Sequence, residues 1–334
     1  MSGNITNKIQ EYNLKAIDIA RFILSFMVVS LHTLPFYQCQ ELFLCKVWWT
    51  IAQSAVPIFF IMSGFFIFYH VKAGKADMEG KYLRKVAIRY CKIYAIWSLA
   101  YLPMAVIYYV QSGFTPKEGL IAYVRDFFYT GQHYNSWILW YILSSIYAFV
   151  VISLIFRIWK SKAYLLIGLL SVSALVAYVA LHLQSGRTDI ISPVRLLYGM
   201  IYIPIGILIG KNSESIEKNK LMFYFIGLTC FVISVALQWF DVPRMAQDTL
   251  MVGIAGCAFV WLIFIKMRLR ISTVGYRKMS GTIYYIHLYV WTIYYWFMYK
   301  EKHFGMDSFI VTSIVCFIIS FWSNMKYQKN RDRD

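Results

Sequence analysis

Residues 16–33 read AIDIARFILSFMVVSLHT, and the only ionisable side chains among them are Asp18, Arg21 and His32. As an α-helix rising ~1.5 Å per residue, this stretch covers most of the ~30 Å of hydrocarbon in a bilayer. Runs of the same kind recur to the end of the chain, separated by charged or turn-forming segments. Their approximate bounds are 15–35, 47–69, 86–110, 137–157, 163–183, 191–210, 221–240, 248–267, 279–298 and 307–326. The expected fold is therefore all-α, a polytopic transmembrane helix bundle of about ten spans, forming a single domain over 1–334.

Composition points the same way. Of the 334 residues, 60% are hydrophobic and only 15% charged, and the mean hydropathy is +0.55, more apolar surface than a water-soluble domain can hide. The 27 Tyr and 11 Trp residues suit interfacial belts, where an apolar ring with a polar handle is favoured. The net charge of +17 is spread between apolar runs, not gathered into a basic domain, so no nucleic-acid partner is expected. The lipid bilayer is the expected partner. The longest polar stretch is too short for an independent soluble core, and no inverted repeat of the transporter kind stands out.

Loop charge orients the bundle. Lys72, Lys75, Lys81, Arg84 and Lys85 fill one connector, and Arg157, Lys160 and Lys162 another. Lys211, Lys218 and Lys220 follow, then Lys266, Arg268, Arg270, Arg277 and Lys278, then the C-terminal Lys326, Lys329, Arg331 and Arg333. With an even number of spans all of these fall on one side, which places both termini in the cytoplasm of a multi-pass cell-membrane protein. The longest outer connector is 111–136. The first apolar run lacks a small-residue cleavage site and is read as a retained helix. Of the six cysteines, Cys91, Cys230, Cys257 and Cys316 lie in apolar runs and read as packing residues. Cys39 and Cys45 share a short outer loop, where pairing stays open. None of the six has metal-ligand spacing, and no metal is expected.

A charge in hydrocarbon costs at least ~2.5 kcal/mol near a helix centre, so ionisable residues retained there mark function. Asp18 and Arg21 are three apart and can pair as helical neighbours. Arg21 and His32, eleven apart, return to within ~20° of one face at ~16 Å along the axis. With Ser25 they form one polar stripe that must face protein or water. In the second span, Ser63 and Gly64 end a Pro57-Ile-Phe-Phe-Ile-Met-Ser-Gly segment, where a small pair lets a ligand or a neighbouring backbone come close. In the third, Lys81, Lys85, Arg89 and Lys92 line one face, a cationic funnel suited to a phosphorylated donor or to lipid headgroups. Trp140 and Tyr141 open the fourth span, either as interfacial anchors or as a platform for a sugar. Pro204 and Gly206 mark a kinked or closely packed sixth span. Tyr284 and His287 bring a second intramembrane histidine in the ninth, whereas His70, His133, His182 and His303 sit at helix ends or loops.

In this order the pieces resemble the acyltransferase family 3 integral membrane proteins over nearly the whole chain. The carriers are Arg21, ten residues, then His32, preceded by Asp18; Pro57, Phe59, Phe60, Ser63 and Gly64; the basic segment Lys85, Arg89, Lys92; Trp140 and Tyr141; Pro204 to Gly206; and Tyr284 with His287. The resemblance implies an O-acyltransferase that moves an acyl group, usually acetyl, from cytosolic acyl-CoA to a hydroxyl of an extracytoplasmic acceptor such as a cell-surface glycan. No cofactor is bound tightly and acyl-CoA is a co-substrate. In that scheme His32 is the general base, Arg21 stabilises oxyanion or donor charge, with Asp18 beside it, and Lys85, Arg89 and Lys92 hold CoA phosphates, with Ser63 and Gly64 at the donor site. Trp140, Tyr141, Tyr284 and His287 serve an acceptor or structural site. A related membrane module is fused to a serine racemase in vancomycin resistance, so a membrane transporter, for example for serine uptake, is the alternative; a scaffold or sensor is a third reading.

Overall fold

The computed structural model describes residues 2–72, 81–132, 137–185, 193–240, 242, 244–265 and 272–331. The cations Lys75, Lys266, Arg268, Arg270 and Arg333, and His133, lie outside these residues. Every regular element among the described residues is helical: α1 (Ser2–Thr33), α2 (Phe43–Lys72), α3 (Lys81–Gln111), α4 (Pro116–Tyr129), α5 (Leu139–Ile158), α6 (Ala163–Ser185), α7 (Leu197–Lys211), α8 (Ser213–Lys218), α9 (Lys220–Leu237), α10 (Arg244–Phe264), α11 (Val274–Met298) and α12 (Met306–Arg331). This is an all-α polytopic bundle.

Eight of these helices are long and apolar enough to cross a membrane, within 43–70, 82–111, 139–158, 160–183, 194–211, 220–237, 245–264 and 306–325. The remaining long helices are α1 and α11, of 32 and 25 residues. They carry the polar residues of the first and ninth expected spans. Lipid exposure accounts for the outer faces: Leu99, Leu165, Phe225 and Trp322 expose 66%, 64%, 71% and 72% of their surface, which water would penalise and hydrocarbon does not.

The connector 111–136 is not a plain loop. Thr115 accepts from the Glu118 N–H while Glu118 accepts from the Thr115 N–H, and Pro116 sits in the first turn. This reciprocal cap starts α4, whose Tyr123 hydroxyl donates to the Ser98 carbonyl on α3 at 2.9 Å.

By backbone contacts the chain divides into two compact units. The first comprises Met1–Val56, Glu217–Val242 and Gly253–Asp334. Here α1, α11 and α12 pack on one another around Val29, Ile283 and Cys316, which are fully buried. The Gly305 N–H donates to the Thr33 carbonyl at 2.9 Å, tying the α11–α12 connector to the end of α1. In the same unit α9 and α10 meet through two glycine–cysteine pairs, Gly227 against Cys257 and Gly253 against Cys230. Cys257 and Cys316 are thus packing residues, whereas Cys91 is exposed on α3, and Cys39 and Cys45 are free thiols.

The second unit comprises Pro57–Ile216 and Pro243–Val252. In it α5 packs on α3 and α7, and α7 on α6. The helices come close where side chains are missing. A Cβ on Gly64 would stand 2.0 Å from the Ile203 carbonyl oxygen, and one on Gly206 2.0 Å from that of Ile61, so α2 and α7 touch backbone to backbone. Ser144 locks α5 to α7 by donating to the Leu196 carbonyl at 2.9 Å and accepting from the Gly199 N–H at 2.8 Å.

Candidate functional site

In the first unit the polar stripe of α1 finds its partners on α11. Asp18 is buried; it accepts from the Thr273 hydroxyl at 3.0 Å, and the Arg277 guanidinium stands 3.9 Å from its other oxygen. One turn along, Ser280 donates to the backbone carbonyl of Arg21 at 2.9 Å. Farther on, the rings of His32 and His287 lie with centroids 5.2 Å apart, tilted by 36°. These contacts keep a sequence offset of 255 to 259 residues, so α1 and α11 run parallel and in register. With α12 returning antiparallel, the start of α1 and the end of α12 lie at the same end of this unit.

The two levels of the stripe have different chemistry. At the Asp18 level the carboxylate has a hydroxyl donor and a cation. Arg277 is 49% exposed and at the limit of ion-pair distance, so its contribution is small, and Thr273 makes the better contact. Sequence reasoning counted Arg277 as a loop cation; it lies in the first turn of α11.

At the histidine level His287 is fully buried. Its Nδ1 lies 2.8 Å from the Tyr284 carbonyl oxygen and 3.2 Å from that of Ile283. Two carbonyls require a donor between them, so Nδ1 carries the proton, and the lone pair of the neutral ring is left on Nε2. That Nε2 has no hydrogen-bond partner among the described residues. A buried acceptor without a donor is uncommon, and this one lies beside His32. Two imidazoles joined by an N–H···N bond of ~2.9 Å have centroids ~5 Å apart, close to the 5.2 Å found here.

The connector beyond this pair is also aromatic. The Lys302 ammonium stands 5.3 Å from the Trp291 ring and 5.2 Å from that of Phe304, and burial lowers it from its ordinary 10.5 to about 8. Asp307 accepts from the hydroxyls of Tyr294 and Tyr299 at 3.0 and 2.8 Å.

The remaining expected residues belong to the second unit. The side chains of Lys85, Arg89 and Lys92 are exposed along α3. Ser63 donates to the Phe59 carbonyl at 2.9 Å and lies 3.2 Å from the Tyr141 hydroxyl; these partners do not activate it as a nucleophile. Gly64 is filled by α7, as described above. Trp140 is buried against Phe60 and Tyr198, with ring centroids 6.0 and 5.6 Å away. A carboxylate that sequence reasoning passed over, Asp248 on α10, accepts from the Tyr178 hydroxyl.

Residues 14–325 match the family described as an acyltransferase domain. Among curated relatives, an amino-acid racemase of Enterococcus faecalis is 24% identical over 284 residues, 79% of this chain and 37% of that protein. A serine/alanine racemase of Enterococcus gallinarum is 27% identical over 251 residues, 69% of this chain and 34% of that protein. The chain thus spans little more than a third of the length of these curated relatives. No solved structure matches it.

Proposed function

The chain belongs to the acyltransferase-domain family, and from that premise we propose that it carries an acyl group, acetyl by preference, from cytosolic acyl-CoA to a hydroxyl of an acceptor outside the membrane, a cell-surface glycan. The observation that carries this reading is the His32–His287 pair, with its bare buried Nε2. In the proposed step His32 takes the proton from the acceptor hydroxyl while the hydroxyl oxygen attacks the thioester carbonyl. A C–O bond forms and the C–S bond breaks; the CoA sulfur leaves and takes the proton back from His32, giving an ester and a thiol. His287 accepts a hydrogen bond from His32 and so holds its other nitrogen toward the hydroxyl, in the manner of a base oriented by a third group.

Arg21 lies ~16 Å from His32 along α1, too far to touch an oxyanion there. Its role is with the charged portion of an extended donor, held in place on the Asp18 side of the stripe. Lys85, Arg89 and Lys92 supply cations for the CoA phosphates. The protein sits in the cell membrane with both termini cytoplasmic, as loop charge indicates.

Inside-out vesicles given labelled acetyl-CoA test the reading. Label enters surface glycan with the natural chain and falls ~100-fold or more with His32→Ala, and His287→Phe, which keeps a ring in the core but removes the acceptor nitrogen, falls in the same direction. Undiminished labelling with His32→Ala refutes the mechanism.

One observation favours a second reading. The relatives carry racemase names and are far longer than this chain, which fits a membrane module that supplies an amino acid to a catalytic portion. Labelled serine accumulating in vesicles without acyl-CoA would select that transporter.

A further inference from the structure

Three contacts fix the register of α11 against α12. Near one end, a Cβ on Gly275 would fall 2.9 Å from the Asn324 amide nitrogen. Eight residues on along α11, Ile283 packs with Cys316 in the buried core around Val29. Eight beyond that, the Trp291 indole and the Ser308 hydroxyl both donate to the His303 carbonyl, at 3.1 and 3.2 Å. Each step forward along α11 is thus an equal step back along α12. Midway between the second and third contacts stand His287 on α11 and Thr312 on α12, each one turn from the contact on either side and on the same helix face as both. The two side chains therefore face one another, and both are fully buried.

The Thr312 hydroxyl has no hydrogen-bond partner among the described residues. A helical threonine or serine in hydrocarbon ordinarily closes its hydroxyl on a carbonyl one turn back. Thr33 on α1 and Ser320 on α12 do so, donating to Val29 and Phe317 at 2.9 Å, and Thr312 does not. Opposite it, His287 Nε2 is bare as well. A donor and an acceptor that share one buried level without bonding each other mark where a further polar atom is wanted. His32 completes the level, its ring 5.2 Å from that of His287, and it is only partly buried, so the level is reached from its side.

We propose that Thr312 is a catalytic residue of the acyl-transfer site, donating its O–H to the carbonyl oxygen of the bound thioester and to the oxyanion that this oxygen becomes. The proposal rests on the acyl-transfer reading and fills a position left open there, because Arg21 is too far along α1 to reach that oxygen. When the acceptor oxygen adds to the thioester carbon, the C=O π pair moves onto the carbonyl oxygen. When the C–S bond breaks, that pair re-forms the carbonyl, and the sulfur leaves and takes the proton held by His32. Negative charge therefore develops on one oxygen in a site without water, where a donor fixed beforehand counts most. His287 Nε2 cannot supply it, being an acceptor that His32 engages in the same step. The Thr312 hydroxyl is already desolvated and bonded to nothing on its own helix, so it turns to the oxyanion without first breaking a hydrogen bond.

The test uses the full chain in lipid nanodiscs. Initial rates with labelled acetyl-CoA give kcat and KM, and infrared difference spectra of acetyl-CoA isotopically labelled at its carbonyl carbon report hydrogen bonding to that oxygen without turnover. Thr312→Val, which keeps the shape of the side chain, is expected to lower kcat ~100-fold and to leave the acetyl-CoA KM within ~3-fold. The carbonyl stretch moves up toward its position in free acetyl-CoA, and the unfolding midpoint does not fall, since an unmet hydroxyl leaves the core. Thr312→Ser keeps the low stretch and most of kcat. Thr312→Ala repeats the loss with a side chain too small to clash. Ser320→Ala, two turns along the same face, changes neither reading. The proposal is overturned if Thr312→Val and Thr312→Ala leave the stretch where it is, or if kcat falls only together with the unfolding midpoint. A stretch that depends on Thr312, with no label reaching an acceptor, refutes transfer to a hydroxyl and leaves the Thr312 contact standing. Label transfer at the natural rate in Thr312→Val does the reverse.

Discussion

Gly64 decides between two uses of the Ser63–Gly64 pair, and its replacement by alanine separates them. The added Cβ would lie 2.0 Å from the Ile203 oxygen, 2.9 Å from its carbon and 3.1 Å from the Ile207 nitrogen. All three are backbone atoms of α7, so no side chain can swing away. Restoring an ordinary 3.4 Å contact requires α2 and α7 to part by ~1.4 Å, and overpacking of this kind costs about 3 kcal/mol, the upper part of its usual range. Alanine recovers ~1 kcal/mol in helix propensity, leaving a net loss of about 2 kcal/mol. Gly206→Ala meets the reciprocal clash with Ile61 and costs a similar amount. The double variant costs less than the sum, because one separation relieves both clashes. Gly256→Ala on α10 is the control; its Cβ meets nothing within 4 Å, and it gains up to ~1 kcal/mol. Unfolding in mixed micelles titrated with sodium dodecyl sulfate measures all four. An unchanged midpoint for Gly64→Ala, with a raised KM for acetyl-CoA, would refute the packing argument and return Gly64 to the donor site.

Two further outcomes test the charged groups. Single alanine replacements of Lys85, Arg89 and Lys92 should each raise the acetyl-CoA KM by about 2- to 5-fold, the equivalent of up to ~1 kcal/mol for an exposed charge, with kcat and unfolding midpoint unchanged and the effect shrinking in high salt; initial rates against acetyl-CoA concentration check this. For Lys302 the folded protein holds its proton less tightly than the unfolded chain, about 8 against 10.5. Between those values the unfolded chain binds more protons, so stability should rise with pH across about pH 8 to 10.5; unfolding midpoints against pH should lose that rise in Lys302→Met.

What could be read from the sequence was local. The spacing of Asp18, Arg21, Ser25 and His32 announced a polar face on one helix, and the structure buries Asp18 and Ser25 on it. The helix start at Thr115 was equally available: Thr-Pro-Lys-Glu is a capping box with proline in the first turn, and a reading led by hydropathy passes over it because α4 is amphipathic and short. What could not be read was the partner of each polar group. Thr273 lies 255 residues from Asp18, and Arg277 looks like any loop cation until the start of α11 is known. Ser63–Gly64 is degenerate in the same way, since a small pair in a membrane helix admits a ligand or a neighbouring backbone equally well. Asp248 stood at the edge of a polar segment, where a carboxylate excites no suspicion; its meaning comes from Tyr178 and Tyr198, brought to it by other helices.

The pairing of α1 with α11 nevertheless follows a rule that sequence can carry. Hydrocarbon solvates no charge and no polar group without a hydrogen-bond partner, so a helix that carries such groups must turn them to another helix or to water. Among the long described helices, α1 and α11 are the two outside the apolar eight. Each is the cheapest available solvent for the other: Asp18 finds Thr273, the Arg21 carbonyl finds Ser280, and His32 finds His287. The polar groups that both helices carry are therefore what specifies their contact. Among the described residues, His287 Nε2 is the acceptor along that seam left without a donor, and it is beside this atom that the proposed acyl transfer puts the reacting group.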